Sequence, residues 1–513
     1  MKEGIVYLIG AGPGDPSLIT LRGKQLIEEA DVLVYDYLAH PKLLEFARPD
    51  VEKIYVGKMG GAHTRTQEEI NRIIIDLARS GKKVARLKGG DPYIFGRGGE
   101  EAQELVREGL KFEVVPGVTA GAAASAYAGI PLTHRDFTTD VAFVTGHEDP
   151  TKDASAIRWD KLATGVGTLV FYMGIKNLPS IVKNLIDNGR DPETPVAVIR
   201  WGARPEQRTV VGTLLTIADE VAKAGIKAPA ITIVGGVVSL RDELRWYDTK
   251  PLFGRSVVVT RAREQASDFA DILAEQGANV IQFPTIACVA PDDWTELDAA
   301  VDRIGDFDWI VFTSVNGVKF FLDRVRQRGK DIRVLAGLSI CCIGPKTAAA
   351  VEALGVNVDV VPDEYRAEAV IEALRDRGGV DGKKILIPRA KVAREVLPTE
   401  LAKMGADVTV ATAYVTVRPD DRKEEIRRLF TDKKIDAITF TSSSTVTNFV
   451  QMWESPEVAR ELLNGVTVAS IGPITSDTAR SYGIVPAVEP TDYTTPALAE
   501  ALKAWFADQP VGA

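Results

Sequence analysis

The chain has 513 residues, a net charge of −9 and a hydrophobic fraction of 45%, enough for three or four domain-sized units with ample core. The acidic balance argues against a general nucleic-acid surface, so an anionic ligand must be met by local clusters of Arg and Lys. Three cysteines, Cys288 and the adjacent Cys341 and Cys342, argue against a disulfide framework or a zinc site and suit a reducing compartment. With no signal-like start and no apolar run near the ~20 residues that span a bilayer, a cytoplasmic protein is expected.

The first element is an apolar strand over Gly4–Gly10, followed by Gly10-Ala-Gly-Pro-Gly-Asp15 and a helical pattern over Leu18–Ala30. This is a poor dinucleotide fingerprint, because Pro13 stiffens the turn and Asp15 replaces the third glycine. A strand over Asp31–Tyr35 delivers Asp36 at its carboxyl end, and one over Lys53–Val56 delivers Gly57 and Lys58. An acid and an amine at strand ends beside glycine loops suit proton transfer; two solvated loop charges satisfy the same spacing.

The stretch from Arg86 to Glu101 organises this half. A buried strand over Lys82–Leu87 runs into glycines, a proline and one acid, Asp91, before an amphipathic helix over Glu100–Arg107. Glycines after a strand admit a ligand close to the backbone, and a helix N-terminus offers free N–H groups. A purely structural loop fits the same spacing. No Lys-Ser or Lys-Thr pair follows, so this is no P-loop. Phe112–Val115 then leads to Pro116-Gly-Val-Thr-Ala-Gly and a small-residue helix, and Tyr127–Arg135 links to a second lobe. Its strands are expected near 141–145, 168–172, 196–200 and 230–234, with loops at Gly146-His147, Met173-Gly174 and Trp201–Arg208. The four histidines have no metal-ligand spacing, and no metal is expected.

Taken in order, Gly10–Asp15, Tyr35-Asp36, Gly57-Lys58, Arg86–Glu101, Val115–Thr119, Tyr127–Arg135 and Tyr172-Met-Gly174 strongly resemble the uroporphyrinogen-III C-methyltransferases, over roughly residues 3–246. The resemblance implies two α/β lobes with S-adenosylmethionine in the cleft, within a homodimer formed by this half. It places cofactor contacts on Pro13, Gly89, Gly90, Asp91, Ile94, Thr119, Ala120, Met173 and Gly202, and proton handling on Asp36 and Lys58. The family methylates two ring carbons of uroporphyrinogen III to give precorrin-2. Arg97 and Arg135 are candidates, by position, to clamp the substrate carboxylates; ordinary surface arginines fit as well.

After a linker at 247–253 the pattern changes. Gly254–Arg261 recurs as Gly382–Arg389, Phe312-Thr-Ser314 as Phe440-Thr-Ser442, and Ile343-Gly-Pro345 as Ile471-Gly-Pro473, all at an offset of 128. One α/β unit has been duplicated over 254–513. Hydroxyls at strand ends (Thr313, Ser314, Thr441, Ser442, Ser443, Thr347, Thr475) are positioned to cap helices, and capped helix N-termini are also anion sites. With Arg261, Arg263, Arg389 and Lys391 nearby in the repeat, they would suit a polycarboxylate.

This half resembles uroporphyrinogen-III synthase over about 254–505, through the repeat, Thr-Ser, Ile-Gly-Pro-x-Thr and Ala413-Tyr414 segments. The resemblance implies two lobes joined by extended connectors near 287–290 and 415–418, with chains exchanged after the first strand–helix–strand of each repeat. Its reaction closes hydroxymethylbilane while inverting the last pyrrole, so positioning dominates. Tyr414 matches the family's tyrosine, which would assist loss of the hydroxyl. The fold class expected is thus α/β throughout: a two-lobed methyltransferase (1–246), then a two-lobed, duplicated synthase. The competing reading keeps methyl transfer with another acceptor and makes the second half a non-catalytic binding module.

Overall fold

The computed structural model describes residues 4–57, 65–147, 156–261, 263–364, 367–417, 422–507 and 509, without the side chains of 263–267. Runs such as Ile5-Val-Tyr-Leu-Ile-Gly10 are apolar without alternation, the pattern of a strand covered on both faces. The first sheet comprises β1 (Ile5–Gly10) and β2 (Val32–Tyr35), which have this pattern, with β3 (Glu52–Tyr55), β4 (Lys83–Lys88) and β5 (Lys111–Val115), which carry charged residues as well. All pair in parallel in the order β3-β2-β4-β1-β5. Leu26, Ile27 and Leu43 pack on one face, and Ile74, Ala102 and Leu105 on the other. The loops after β1, β2, β4 and β5 therefore leave from one edge, where ligands collect in such sheets.

The second lobe contains β6 (Val141–Thr145), β7 (Thr168–Tyr172), β8 (Pro195–Arg200), β9 (Arg208–Thr213) and β10 (Ala230–Val234), ordered β6-β7-β10-β8-β9. Only β6 and β7 are parallel; β10 runs against β7 and β8, and β9 against β8. β9 was not anticipated. It is a partly exposed edge strand, and its side chains lack the unbroken apolar run that marks its neighbours.

The C-terminal strands are β11 (Ser256–Val259), β12 (Asn279–Gln282), β13 (Ala287–Val289), β14 (Trp309–Phe312) and β15 (Ser339–Cys342), then β16 (Lys384–Ala390), β17 (Asp407–Val417), β18 (Ala437–Phe440) and β19 (Thr467–Ser470). One sheet runs β12-β11-β18-β19 and the other β13-β17-β16-β14-β15. Each sheet thus joins the opening strands of one repeat to the closing strands of the other, which is the chain exchange expected. The connectors meet as the antiparallel pair β13–β17, with Ala287 opposite Val417 and Val289 opposite Val415.

By proximity the chain divides into two compact units. One is residues up to 257 with 271–280 and the tail from 502; the other is 258–270 with 281–501. Among the described residues, no helix is long and apolar enough to cross a membrane.

Candidate active site

In the N-terminal half, the residues assigned to the donor pocket lie just after strands: Pro13 after β1, Gly89, Gly90, Asp91 and Ile94 after β4, Thr119 after β5 with Ala120 opening the helix that follows, Met173 after β7, and Gly202 after β8. Main-chain contacts bring these loops together. Gly12 and Gly90 exchange N–H···O bonds of 3.2 and 2.7 Å. A Cβ added at Gly10 would stand 2.5 Å from the Gly117 Cα, and one at Gly202 would stand 2.4 Å from the Ala124 Cβ. Asp91, nearly buried, accepts from Tyr93 N at 2.8 Å and from Gly117 N at 3.0 Å, so its carboxylate ties the β4 loop to the β5 loop.

Tyr172 does the same between lobes. Its hydroxyl accepts from Gly121 N at 2.8 Å and shares a 2.7 Å bond with Thr119 Oγ1, while its ring meets Phe95 and Phe143 at 4.9 and 5.8 Å. Ile94 and Ala120 pack against the same apolar cluster. Phe95, Arg97, Met173, Trp201 and Ala203 all have positive φ, between 51° and 61°. Such backbone costs of order 1 kcal/mol or more per residue and gathers at ligand sites. Arg204 lies 4.5 Å over the Trp201 ring and donates to Leu38 O at 3.0 Å, joining the β8 loop to the segment after Asp36.

Asp36 follows β2 directly. Its Oδ1 accepts from Leu38 N at 3.0 Å, and its Oδ2 lies 3.4 Å from Arg86 Nη2. Lys58 lies outside the described residues. His40, the histidine of this segment, is pushed down to about 4 by burial, with Arg204 and Lys42 adding to it; it is neutral at pH 7 and supplies no proton there. Arg97 is engaged by Glu100, with Nε 3.0 Å from Oε2, and Arg135 is exposed in the turn spanning His134–Thr138. The sequence reading gave no role to Arg204, Tyr172 or the charges beside Asp36. The visible signal was Arg86 and Lys88 alternating with Val84 at the buried end of β4.

In the C-terminal half, Tyr414 is 9% exposed, its ring stacks on Phe320 at 5.6 Å, and its hydroxyl lies 3.1 Å from Ser314 Oγ. Burial raises the phenol above the ordinary tyrosine range, partly offset by the Ser314 bond, so it stays protonated at neutral pH. It lies inside the eleven-residue β17, at an irregularity where the register shifts between Arg389 and Ala390. That shift lets Lys391 N donate to Tyr414 O at 2.9 Å and leaves the Lys391 side chain exposed. Arg389 is buried instead: Nη1 donates to Arg394 O at 2.9 Å, Nη2 pairs with Glu395, and Nε has no partner. Arg261 is half-buried, and the Arg263 side chain lies outside the described residues.

The capping assignment needs correction at two sites. Ser314 and Ser442 do cap their helices, accepting from Gly317 N at 3.0 Å and Thr445 N at 3.3 Å, each preceded by half-buried Thr313 or Thr441. Thr347 and Thr475 do not. Gly344 and Gly472 hold those cap positions, followed by Pro345 and Pro473, and both threonines are buried inside the first turn. Proline pre-sets the first helical φ, which moves the helix start ahead of the hydroxyl.

Comparison with known proteins agrees with this division. Residues 5–218 match the family of Tetrapyrrole (Corrin/Porphyrin) Methylases, and residues 267–500 match Uroporphyrinogen-III synthase HemD. The chain is 37% identical over 485 residues to a porphyrin biosynthesis protein HemD of Ruminiclostridium josui, covering 94% of this chain and 95% of that protein. It is 54% identical over 236 residues to a uroporphyrinogen-III C-methyltransferase of Priestia megaterium, covering 46% of this chain and 99% of the relative. A similar match, 54% over 241 residues, is to an S-adenosyl-L-methionine-dependent uroporphyrinogen III methyltransferase of Methanosarcina barkeri (strain Fusaro / DSM 804), covering 47% of this chain and 94% of that protein.

Proposed function

The chain belongs to the tetrapyrrole methylases through its N-terminal half and to the uroporphyrinogen-III synthases through its C-terminal half, and from that membership we propose how its residues carry out two consecutive reactions. It is a bifunctional enzyme of tetrapyrrole biosynthesis. The C-terminal half cyclises hydroxymethylbilane to uroporphyrinogen III with inversion of the last ring. The N-terminal half methylates that product at two ring carbons, to precorrin-2, using S-adenosylmethionine. We place the boundary between the activities in the linker at 247–253.

The N-terminal loops suit that donor. Gly10, Gly90 and Gly117 bring main-chain N–H and C=O groups to one edge, Ile94 and Ala120 add an apolar wall, and Met173 is half exposed on strained backbone. Pro13, Gly89, Gly90, Asp91, Ile94, Thr119, Ala120, Met173 and Gly202 would hold it; when bound, it supplies an electrophilic methyl on a sulfonium. Asp91 and Tyr172 spend their polar atoms fastening loops, so the pocket is pre-shaped to align the partners and exclude water. Asp36 takes the ring proton whose loss restores the conjugated product, with Lys58 as its partner in proton handling.

In the synthase half, Tyr414, kept protonated and bonded to Ser314, hands a proton to the departing hydroxyl. The helix starts at Ser314 and Ser442, with Thr313, Thr441 and Thr475, and the cations Arg261, Arg263, Arg389, Lys391 meet carboxylates. Arg97 and Arg135 do so in the methylating half. Pairing of two chains through that half is supported by apolar side chains it leaves exposed, Leu21, Val106 and Leu215 among them, and sedimentation tests it. The low cysteine content, three in 513 residues, supports a reducing, cytoplasmic location.

The single observation that carries the reading is the locking of the β4 and β5 loops by Asp91 and of the β5 loop to the end of β7 by Tyr172. Hydroxymethylbilane and methyl-labelled S-adenosylmethionine given to the full chain should yield a doubly labelled type-III product. A symmetric type-I ring alone would defeat the synthase assignment, and unlabelled uroporphyrinogen III the methylation.

A further inference from the structure

Three charges of the N-terminal half are buried without a part in binding or proton transfer. Arg86, 4% exposed, and Lys88 alternate on one face of β4 with Val84, and Glu101 on the helix Gly98–Arg107 is wholly buried. Glu101 Oε1 accepts from Lys88 Nζ at 2.7 Å, Gln67 Nε2 at 3.2 Å and Arg86 Nε at 3.5 Å, while its Oε2 is buried with no partner. At its far end, Arg86 donates through Nη1 to Leu87 O at 2.8 Å and directs Nη2 at Asp36 Oδ2, 3.4 Å away.

We propose that Arg86, anchored by Glu101, which Lys88 holds in turn, is a positioning residue that fixes the direction of the Asp36 carboxylate; this rests on the reading of Asp36 as the base. Stability does not account for the cluster. Buried ion pairs contribute little net over apolar residues of like volume, and the same face of the sheet is otherwise aliphatic, with Val6, Leu8, Val32 and Val34. The register does account for it. Val34 stands opposite Arg86 and Tyr35 opposite Leu87, so Asp36, two residues beyond Val34, faces the side that carries the guanidinium. The charges also balance only with Asp36 included, since Arg86 and Lys88 face a single carboxylate in Glu101. With Leu38 N on Oδ1 and Arg86 on Oδ2, both oxygens are held, and the carboxylate plane is set before substrate arrives. A planar fork can hold an oxygen in direction, whereas an ammonium acts as a point charge.

The test uses the full chain with Arg86→Lys, Arg86→Gln and Asp36→Asn, alone and combined, measuring methylation kinetics and S-adenosylmethionine affinity by calorimetry. Arg86→Gln should lower kcat about 10²-fold, with KM and donor affinity within about twofold of the parent. Arg86→Lys should recover about a tenth of the parental rate. Neither should add to the loss in an Asp36→Asn background. If Arg86→Gln fails to bind donor through misfolding, Arg86→Lys alone and with Asp36→Asn decides the matter. A parental kcat in Arg86→Lys, or losses that add to those of Asp36→Asn, would overturn the positioning role while leaving the base intact. An undiminished rate in Asp36→Asn alone would instead remove the base reading on which it rests.

Discussion

The two halves are built to grip the same acid-fringed ring system with opposite materials. In the N-terminal half the site is mostly main chain. Gly10 meets Gly117, Gly12 meets Gly90, and left-handed residues punctuate the loops. In the C-terminal half the proposed site is side chain: hydroxyls at helix starts and one buried phenol. The duplication sharpens the contrast. Ser314 and Ser442 cap matching helices, and Gly344 and Gly472 open the matching next ones. The repeat counterparts of Tyr414 and Phe320, however, are Ile286 and Asn448. Copying preserved the devices that fold each unit, while the buried phenol of Tyr414 and its stacking ring Phe320 belong to one copy. A pocket of main chain is altered chiefly by adding atoms to glycine; a pocket of side chains is altered by removing them.

The largest effect should therefore come from Gly10→Ala. Its new methyl would meet the Gly117 backbone at 2.5 Å, which cannot swing aside. Donor binding by calorimetry and label incorporation should both vanish, while synthase turnover in the same chain persists; an active variant would break the comparison. Next, Asp36→Asn should slow methylation by about 10²–10⁴-fold with donor affinity kept. On the side-chain half, Tyr414→Phe should cost no more than roughly tenfold in type-III ring formation, because alignment carries most of the barrier. Total inactivity with an intact circular dichroism spectrum would contradict that weighting. Ser314→Ala should lower stability by ~1 kcal/mol through the lost cap, read from denaturant unfolding, and should slow ring closure as well through the phenol.

The smallest effect concerns Glu454, which Arg427 holds at about 2 against an ordinary 4.5. A carboxylate lowered on folding stabilises fully above its unfolded value and loses that contribution as pH falls through the folded one. Glu454→Gln should thus lower Tm slightly at pH 7, with the deficit closing as pH drops toward 2. A deficit constant with pH would mean the charge pair is not its source.

Much of this was legible in the residues. Strands buried on both faces write themselves as apolar runs, so β1, β2, β7 and β10 were placed within a residue or two of where they lie. The constant offset exposed the duplication, and the resemblance it supported implied the exchange of strands. Other features left no local mark. β9 pairs on one edge only and has no strong pattern. Glu101 reads as a surface residue of an amphipathic helix, since nothing near it in sequence says that Lys88 and Arg86 lie beneath. The irregularity at Arg389 and Ala390, which draws Tyr414 inside a long strand and turns Arg389 inward, arises from pairing between distant segments. Lys58 and the Arg263 side chain lie outside the described residues, so their roles rest on the sequence.

The exchange of strands also has a consequence for how the protein is made. Thr260 Oγ1, just past β11, donates to Thr439 O in β18, a partner 179 residues later. At ribosomal speed the opening strand waits roughly ten to forty seconds for that neighbour, its apolar edge uncovered meanwhile. Neither repeat severed from its twin could complete a sheet, so the gene cannot be trimmed to a single working copy, and the newborn chain depends on protection until its last lobe emerges.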